Sequence, residues 1–304
     1  MPPTDFYSSG AKTCVEMECI IHPDLDQKFY KENIHRVVAK LQAEESADFT
    51  FLVLRGEQDC AKVSEMAEVH ENVVRSACDR DAPSSFGTTE GEFIALIVDK
   101  PFLQENGQAL RGLVAHELMH TLQRYRGIED QIENAAHART DSIVKKFEEI
   151  GFSQEDALKF IKEVLSNAVF CLKDIFSNTE LVKQGFSKDL SEYYYHMLDV
   201  GNYCPLPEFY GEEEEFDEIL KAIAFDLQLI PTWLPFETLD QKRAKEIKSR
   251  IKDCYEKNIP QTAYYINDIR HLYHDQFDEE EEFINLFFEQ ILNSSYKLLE
   301  KKLG

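Results

Sequence analysis

The chain has 304 residues, and its 33 basic side chains against 57 acidic ones give a formal net charge of −24. A field this negative repels phosphate backbones and anionic headgroups, so we expect neither nucleic acid nor a membrane surface among its partners. The 43% of hydrophobic residues can form a sizeable core, yet no run approaches the roughly 18 apolar residues of a membrane span. No signal-like start is present, and we expect a cytoplasmic protein. The seven cysteines include no C-x-x-C pair, which argues against a disulfide framework or a cysteine zinc site.

The first hundred residues predict a small α/β layer. Residues 48–55 and 92–99 are rich in Phe, Val, Ile and Leu and predict strands, and residues 14–21 alternate well enough to form a third. Helices are expected near 27–44 and 61–78. The order of these segments places this α/β layer before the rest of the chain.

Nearly everything after Pro101 has helical spacing. The resulting fold class is α+β, with a small mixed sheet, then a helix that carries the motif described next, then a large α-helical C-terminal part. Residues 201–211 contain two prolines and two glycines, so we place a domain boundary there, between 1–200 and 201–304, unless the two form one continuous domain. The predicted helices lie near 107–125, 129–150, 154–175, 187–199, 214–228, 237–257 and 279–301.

The sequence His116-Glu117-Leu118-Met119-His120 contains the pattern H-E-x-x-H. Residues four apart on a helix share one face, so His116 and His120 can direct two imidazole nitrogens at a single ion. Glu117 lies beside that pair, where it could accept a proton from a metal-bound water. The pattern therefore predicts a zinc site with Glu117 as general base, unless the match is accidental in a purely structural helical protein.

A catalytic zinc needs a third protein ligand and an open fourth position. Downstream, Glu133, His137 and Asp141 follow one another at four-residue steps, so all three share one face of the next helix. We expect the third ligand on that face, and the residues alone leave open which of the three it is.

This arrangement resembles the zincin metallopeptidases, and over roughly residues 110–158 it is similar to the gluzincin branch, in which H-E-x-x-H is followed by E-x-x-x-D on a second helix. The resemblance implies a Glu as third ligand and an Asp that orients a ligand histidine. Glu133 with His137 fits one register, and His137 with Asp141 fits the other. The residues that follow Asp141 resemble peptidases of the prenyl-protein-processing type and favour His137 over Glu133 as the ligand. The metzincin pattern fails, because Gln123 and Arg126 stand at its Gly and His positions.

Zincins also use a Tyr or His from a later helix to stabilise the oxyanion of the tetrahedral intermediate. The resemblance implies His196 with a neighbouring tyrosine, Tyr195, in this role. Zincins commonly present an edge strand upstream of the motif helix, and the strand at 92–99 would then pair with an extended substrate.

The sequence thus predicts an intracellular zinc-dependent metallohydrolase, most simply a peptidase, with one Zn²⁺ per chain and a peptide or protein as substrate. The alternative is a zincin-like protein that binds zinc without peptidase activity and engages a partner through its helical C-terminal half. The oligomeric state is not indicated.

Overall fold

The computed structural model describes residues 17–42, 49–55, 84–88, 91–98, 101–199, 215–258 and 266–303. The chain divides into two compact units, one ending at Ile97 and the other beginning at Val98. The predicted helix at 61–78, the start of the predicted strand at 14–21 and the predicted boundary at 201–211 lie outside the described residues.

The first unit contains a four-stranded sheet and one described helix. Its strands are β1 (Glu18–Ile21), β2 (Phe49–Leu54), β3 (Ser84–Thr88) and β4 (Gly91–Ile97), and helix α1 (Gln27–Leu41) follows β1. Asp26 caps α1, since its carboxylate accepts hydrogen bonds from two backbone N–H groups of the first turn. The inner residues of β2 and β4 are almost wholly buried, as their apolar composition predicts.

The strand order is β1-β2-β4-β3, with β1, β2 and β4 parallel and β3 antiparallel to β4. The sheet is mixed, which agrees with the predicted α+β class. Strand β4 is hydrogen-bonded to β2 on one side and to β3 on the other. A strand with neighbours on both sides offers no free edge, so the expected pairing of residues 92–99 with a substrate is not supported by this topology.

The described residues of the second unit form helices joined by short turns, without a strand. Each predicted helix there has a counterpart, and the observed elements are α2 (Pro101–Glu105), α3 (Gly107–Tyr125), α4 (Ile128–Glu149), α5 (Gln154–Lys183), α6 (Ser187–Asp199), α7 (Glu215–Trp233), α8 (Phe236–Leu239), α9 (Gln241–Asn258), α10 (Ile266–Gln276) and α11 (Glu280–Leu303).

Helix α3 is the central element of this unit. Its N-terminus is capped by Asn106, whose side chain accepts hydrogen bonds from two backbone N–H groups. It packs against α5 and, most extensively, against α6. At the crossing with α6, a Cβ added to Gly112 would lie 2.3 Å from the backbone oxygen of Asp189, so only glycine permits this approach.

Helix α5 continues to Lys183, beyond the predicted end near residue 175. Helices α4 and α7 pack along it, and α11 packs against α4. The motif helix and the C-terminal helices therefore belong to the same compact unit, which begins at Val98. Within the described residues, no helix combines the length and apolar character needed to cross a membrane.

Candidate metal centre

Two histidines of α3 face each other across one helical turn. The ring centroids of His116 and His120 are 4.7 Å apart and the ring planes are nearly perpendicular. Their Nε2 atoms are 3.3 Å apart. The spacing of the H-E-x-x-H motif thus brings two imidazole nitrogens to one point, as the sequence predicts.

Asp174 of α5 completes a group of three possible metal ligands. Its Oδ1 lies 3.0 Å from Nε2 of His120 and 3.5 Å from Nε2 of His116. Ligands about 2.0–2.1 Å from a tetrahedral zinc ion are about 3.3 Å from one another, so the three observed distances match three corners of such a tetrahedron. Two imidazoles and one carboxylate are donors suited to a divalent transition metal. The group could hold a metal ion and leave one position open.

Asp174 is the most solvent-exposed member of this group. The side chains of His116 and His120 are 11% and 13% exposed, whereas that of Asp174 is 32% exposed.

A hydrogen bond from Nδ1 fixes the tautomer of His116. Nδ1 lies 2.9 Å from Oδ1 of Asn178, a fully buried residue on α5. The amide nitrogen of Asn178 donates to the hydroxyl of Tyr194 and to the backbone carbonyl of Pro231. Because a carbonyl can only accept, the amide must have this orientation and Oδ1 must accept from His116. The proton therefore sits on Nδ1, and the Nε2 lone pair faces the metal position.

The carbonyl of Pro231 accepts this bond because the helix leaves it without a backbone donor. An α-helical carbonyl normally accepts from the N–H four residues later, which here belongs to Pro235 and does not exist. The preceding carbonyl, of Ile230, does accept from Leu234 at 3.0 Å. Pro235, which has no N–H, thus leaves unpaired the carbonyl that orients Asn178.

His120 is held in the same tautomer by a different set of groups. Its Nδ1 lies 3.3 Å from the hydroxyl of Ser177 and 3.5 Å from the carboxylate of Glu129. The Ser177 hydroxyl gives its own proton to Gln123, so it accepts from His120. Nε2 of His120 then faces Asp174, where a cation would take the place of a proton. Both histidines have the partner at the second nitrogen that is typical of metal ligands.

The charges around the centre favour a cation. Burial alone would lower the pKa of His120, but the carboxylates of Asp174 and Glu129 raise it to about 10. Burial would raise the pKa of Asp174, yet the two histidines outweigh it and lower that pKa. The pKa of Glu129 is lowered as well, because His120, Lys173 and Arg124 outweigh its burial. A positive charge held between these carboxylates is therefore stabilised.

Glu117 lies beside the two histidines and is 7% exposed. Burial raises the pKa of its carboxyl group, while His116 and His120 act in the opposite direction and do not cancel the effect. A carboxylate with a raised pKa accepts a proton more readily near neutral pH than an exposed one does. The direction of this pKa shift suits a general base.

The residues predicted as third ligand lie elsewhere on α4. Glu133 is 52% exposed and its carboxylate is 2.7 Å from Nζ of Lys173, while His137 is exposed. Neither belongs to a group of three ligand atoms within 4.8 Å among the described residues, and the side chain of Asp141 is not among those described. Asp174 occupies the position beside the histidines that the sequence assigns to Glu133 or His137, because α5 rather than the predicted face of α4 crosses α3 at this point.

The predicted oxyanion donors have two different surroundings. His196 of α6 is buried. The hydroxyl of Tyr195 donates to Glu246 at 2.6 Å, and this contact, after burial, raises the pKa of the phenol. Tyr194 is the tyrosine next to the centre, since its hydroxyl accepts from the amide that holds His116.

The sequence interpretation missed Asp174, Ser177, Asn178 and Glu129. The first three follow at positions i, i+3 and i+4 of α5 and so form one polar stripe in a mainly apolar helix. That stripe is the signal from which they could have been found, but the predicted helix ended at residue 175 and divided it.

Comparisons with protein-family models, with curated proteins and with solved structures gave no match to this chain.

Proposed function

We propose that this protein is a zinc-dependent metallohydrolase, most simply a peptidase of zincin-like type, with His116, His120 and Asp174 as the zinc ligands. The observation that carries the proposal is the spacing of the three ligand atoms, 3.0 to 3.5 Å from one another. Two histidines and one carboxylate with an open fourth position are the donor set of catalytic zinc in metallopeptidases.

A zinc ion held by these residues would act as a Lewis acid that eases deprotonation of water and polarises a scissile carbonyl. Glu117 takes the proton of the attacking water and can return it to the leaving amine. Asn178 and the pair formed by Ser177 and Glu129 keep the two imidazoles in the tautomer that leaves Nε2 available. His196 is the buried group on α6 that we assign to the oxyanion.

Asp174 changes the charge expected at the centre. Three histidine ligands would leave the site one negative charge short of the His₂Glu pattern of zinc peptidases. With Asp174 as the third ligand the site has one carboxylate, as in His₂Glu peptidase centres. The observed group therefore supports peptide hydrolysis better than the set with His137 does.

Metal content tests the ligand set. We expect mass spectrometry to find about one zinc ion per chain of purified wild type and little in His116→Ala or Asp174→Ala. Glu133→Ala and His137→Ala serve as matched controls and should keep the metal. Loss of zinc in either control, with retention in Asp174→Ala, would show that α4 supplies the third ligand.

Proteolysis of an unfolded casein-type substrate tests the activity on the same samples. Glu117→Gln should retain zinc and lose at least about a hundredfold in kcat, since general-base catalysis contributes about 10²–10⁴-fold. Residual activity equal to wild type in this variant would remove Glu117 from the mechanism.

The alternative is a zinc protein without peptidase activity, whose helical C-terminal half engages a partner. Two observations favour it over a standard zincin, namely that β4 is paired on both sides and that Tyr195 is bound to Glu246. Full zinc occupancy with no cleavage of any unfolded substrate would support this alternative.

A further inference from the structure

Helix α1 has a basic outer side, although the whole chain has a net charge of −24. The apolar side of the helix is buried, and its one acidic residue, Glu32, is exposed. The outer side also carries four exposed cations, which we call the basic face: Lys28, Lys31, Arg36 and Lys40. At a rise of about 1.5 Å per residue, the basic face extends for about 18 Å along the helix.

The charges of the basic face are poorly neutralised. Lys28 lies 3.8 Å from Glu32, but the two side chains are 84% and 54% exposed, so solvent screens their attraction. Lys31 and Arg36 form no ion pair with any residue in the described part of the chain. Other basic side chains do have acidic partners, as in the pairs Arg111–Asp189, Arg126–Glu180 and Arg250–Asp199.

An open cavity of about 610 Å³ borders the basic face. The described residues that line it are Gln27, Lys28, Lys31, Glu32, His35 and Arg36. All of them belong to the outer side of α1, so the surface is accessible along more than two turns of the helix. A segment with several carboxylates could therefore contact more than one of these cations at once.

A surface of opposite charge lies at the start of α11. Residues 278–282 are five consecutive acids, which we call the acidic run, and all five are exposed. They form no ion pair with any residue among those described, and they line an open cavity of about 680 Å³. Carboxylates at a helix N-terminus are favoured by the helix dipole, which stabilises the acidic run without covering it.

We propose that two copies of this chain associate through these surfaces, with the basic face of one copy against the acidic run of the other. The argument is charge complementarity, since four cations meet five carboxylates that lack ion-pair partners in the described part of their own chain. A two-fold axis allows both copies to make the same contact, so association stops at a dimer. The inference goes beyond the proposed function, because neither surface contains a residue of the metal centre.

The net charge of each copy opposes association but does not prevent it. At physiological ionic strength the Debye length is about 8 Å, so charges far from the contact are largely screened. Charges within the contact are closer than this distance and still attract. Salt added beyond physiological strength should therefore weaken the dimer, because it mainly reduces this short-range attraction.

Sedimentation velocity of the full chain over a concentration series tests the association. Wild type should form a dimer. The variant with Lys31→Glu and Arg36→Glu, and separately the variant with Glu280→Lys and Glu281→Lys, should each have a Kd at least about tenfold higher, because like charges then face each other. An equimolar mixture of the two variants should dimerise again, since opposite charges meet at both contacts.

The variant with Lys242→Glu and Lys245→Glu is the matched control. It makes the same change in net charge at two exposed residues of α9, and it should dimerise as wild type does. Circular dichroism establishes that every variant is folded.

Four outcomes would overturn the proposal. They are a wild type that stays monomeric at every concentration, a control that dissociates as much as the α1 variant, a mixture that does not dimerise, and a dimer that added salt strengthens. The last of these would place the contact on an apolar surface instead.

Discussion

At the scale of single residues, a chain of buried hydrogen bonds connects the metal centre to a helix more than fifty residues further along. It runs from Nδ1 of His116 to Asn178 and from there to the carbonyl of Pro231. Each member is oriented by the next, because the carbonyl can only accept and the amide has one arrangement that satisfies it. The orientation of the His116 imidazole thus depends on Asn178, which is not one of the three candidate ligands.

Replacement of Asn178 by leucine should weaken zinc binding by about 10–100-fold, the usual cost of losing such a supporting partner. The affinity is measured by competition with a chromophoric chelator. Asn167→Leu is the control. Asn167 lies on the same helix, but its side chain donates to the carbonyl of Glu163 within that helix and not to a residue of the centre. If both variants bind zinc as wild type does, the tautomer of His116 does not need Asn178.

The sequence alone predicts only those residues of the centre that are close to one another in the chain. His116, Glu117 and His120 can be predicted because helical spacing alone places them together. Asp174 cannot be predicted in that way, because its place depends on how α5 crosses α3. The resemblance to gluzincins implies Glu133 or His137, which belong to the next polar stripe along the chain. Packing instead brings α5, the helix that follows this stripe, to the two histidines.

At the scale of elements, the approach of α3 to α6 depends on Gly112. Replacing a helical glycine by alanine ordinarily stabilises a helix by about 1 kcal/mol. Here the added Cβ would meet the Asp189 carbonyl at 2.3 Å, so we expect Gly112→Ala to destabilise the protein by about 1–3 kcal/mol. Urea unfolding measures the change, and a stabilised variant would show that the two helices can separate at little cost.

Glu237 joins three helices of the C-terminal part. Its carboxylate on α8 is paired with Lys248 of α9, and it lies 2.6 Å from Arg270 and 3.2 Å from His274 on α10. Burial would raise the pKa of Glu237, but these three partners outweigh it and lower that pKa below the ordinary 4.5. The carboxylate therefore stabilises the fold above about pH 4.5, and its contribution is lost as the pH falls through the lowered pKa.

Glu237→Gln should cost about 1–2 kcal/mol at pH 7, because its partners are a third to nearly half exposed and solvent screens them. The difference from wild type should shrink below pH 4.5. Urea unfolding midpoints of both proteins are measured from pH 7 to pH 3. A chelator is present in every sample, so that loss of metal at low pH does not affect the comparison. A difference that does not change with pH would mean that the charge of Glu237 is not what stabilises this part.

Element types and limits were predictable to different degrees. The helices from α3 onward follow from apolar periodicity, and three strands follow from short apolar runs. Strand β3 has the sequence SSFGT, which contains no such run. It forms a strand because it pairs with β4. The order of strands in the sheet depends on non-local pairing, which periodicity does not specify.

At the scale of the whole molecule, the centre and the residues that support it all belong to the unit that begins at Val98. We expect a fragment of residues 98–304 to fold as a helical protein and bind zinc within a few-fold of the full chain. A fragment of residues 1–200 should bind it much less well, since it lacks α7, which packs on α5, and α11, which packs on α4. Calorimetric titration compares the two, and equal affinity would favour the boundary predicted near residue 201.

His116, Glu117 and His120 occupy little more than one turn of α3, the helix that is held against α6 at Gly112. The candidate base and two of the three candidate ligands are therefore carried on one rigid element, and a tilt of α3 leaves their mutual geometry unchanged. Asp174 comes from α5, a separate element. The distances from its carboxylate to the two imidazoles therefore depend on how α5 packs against α3.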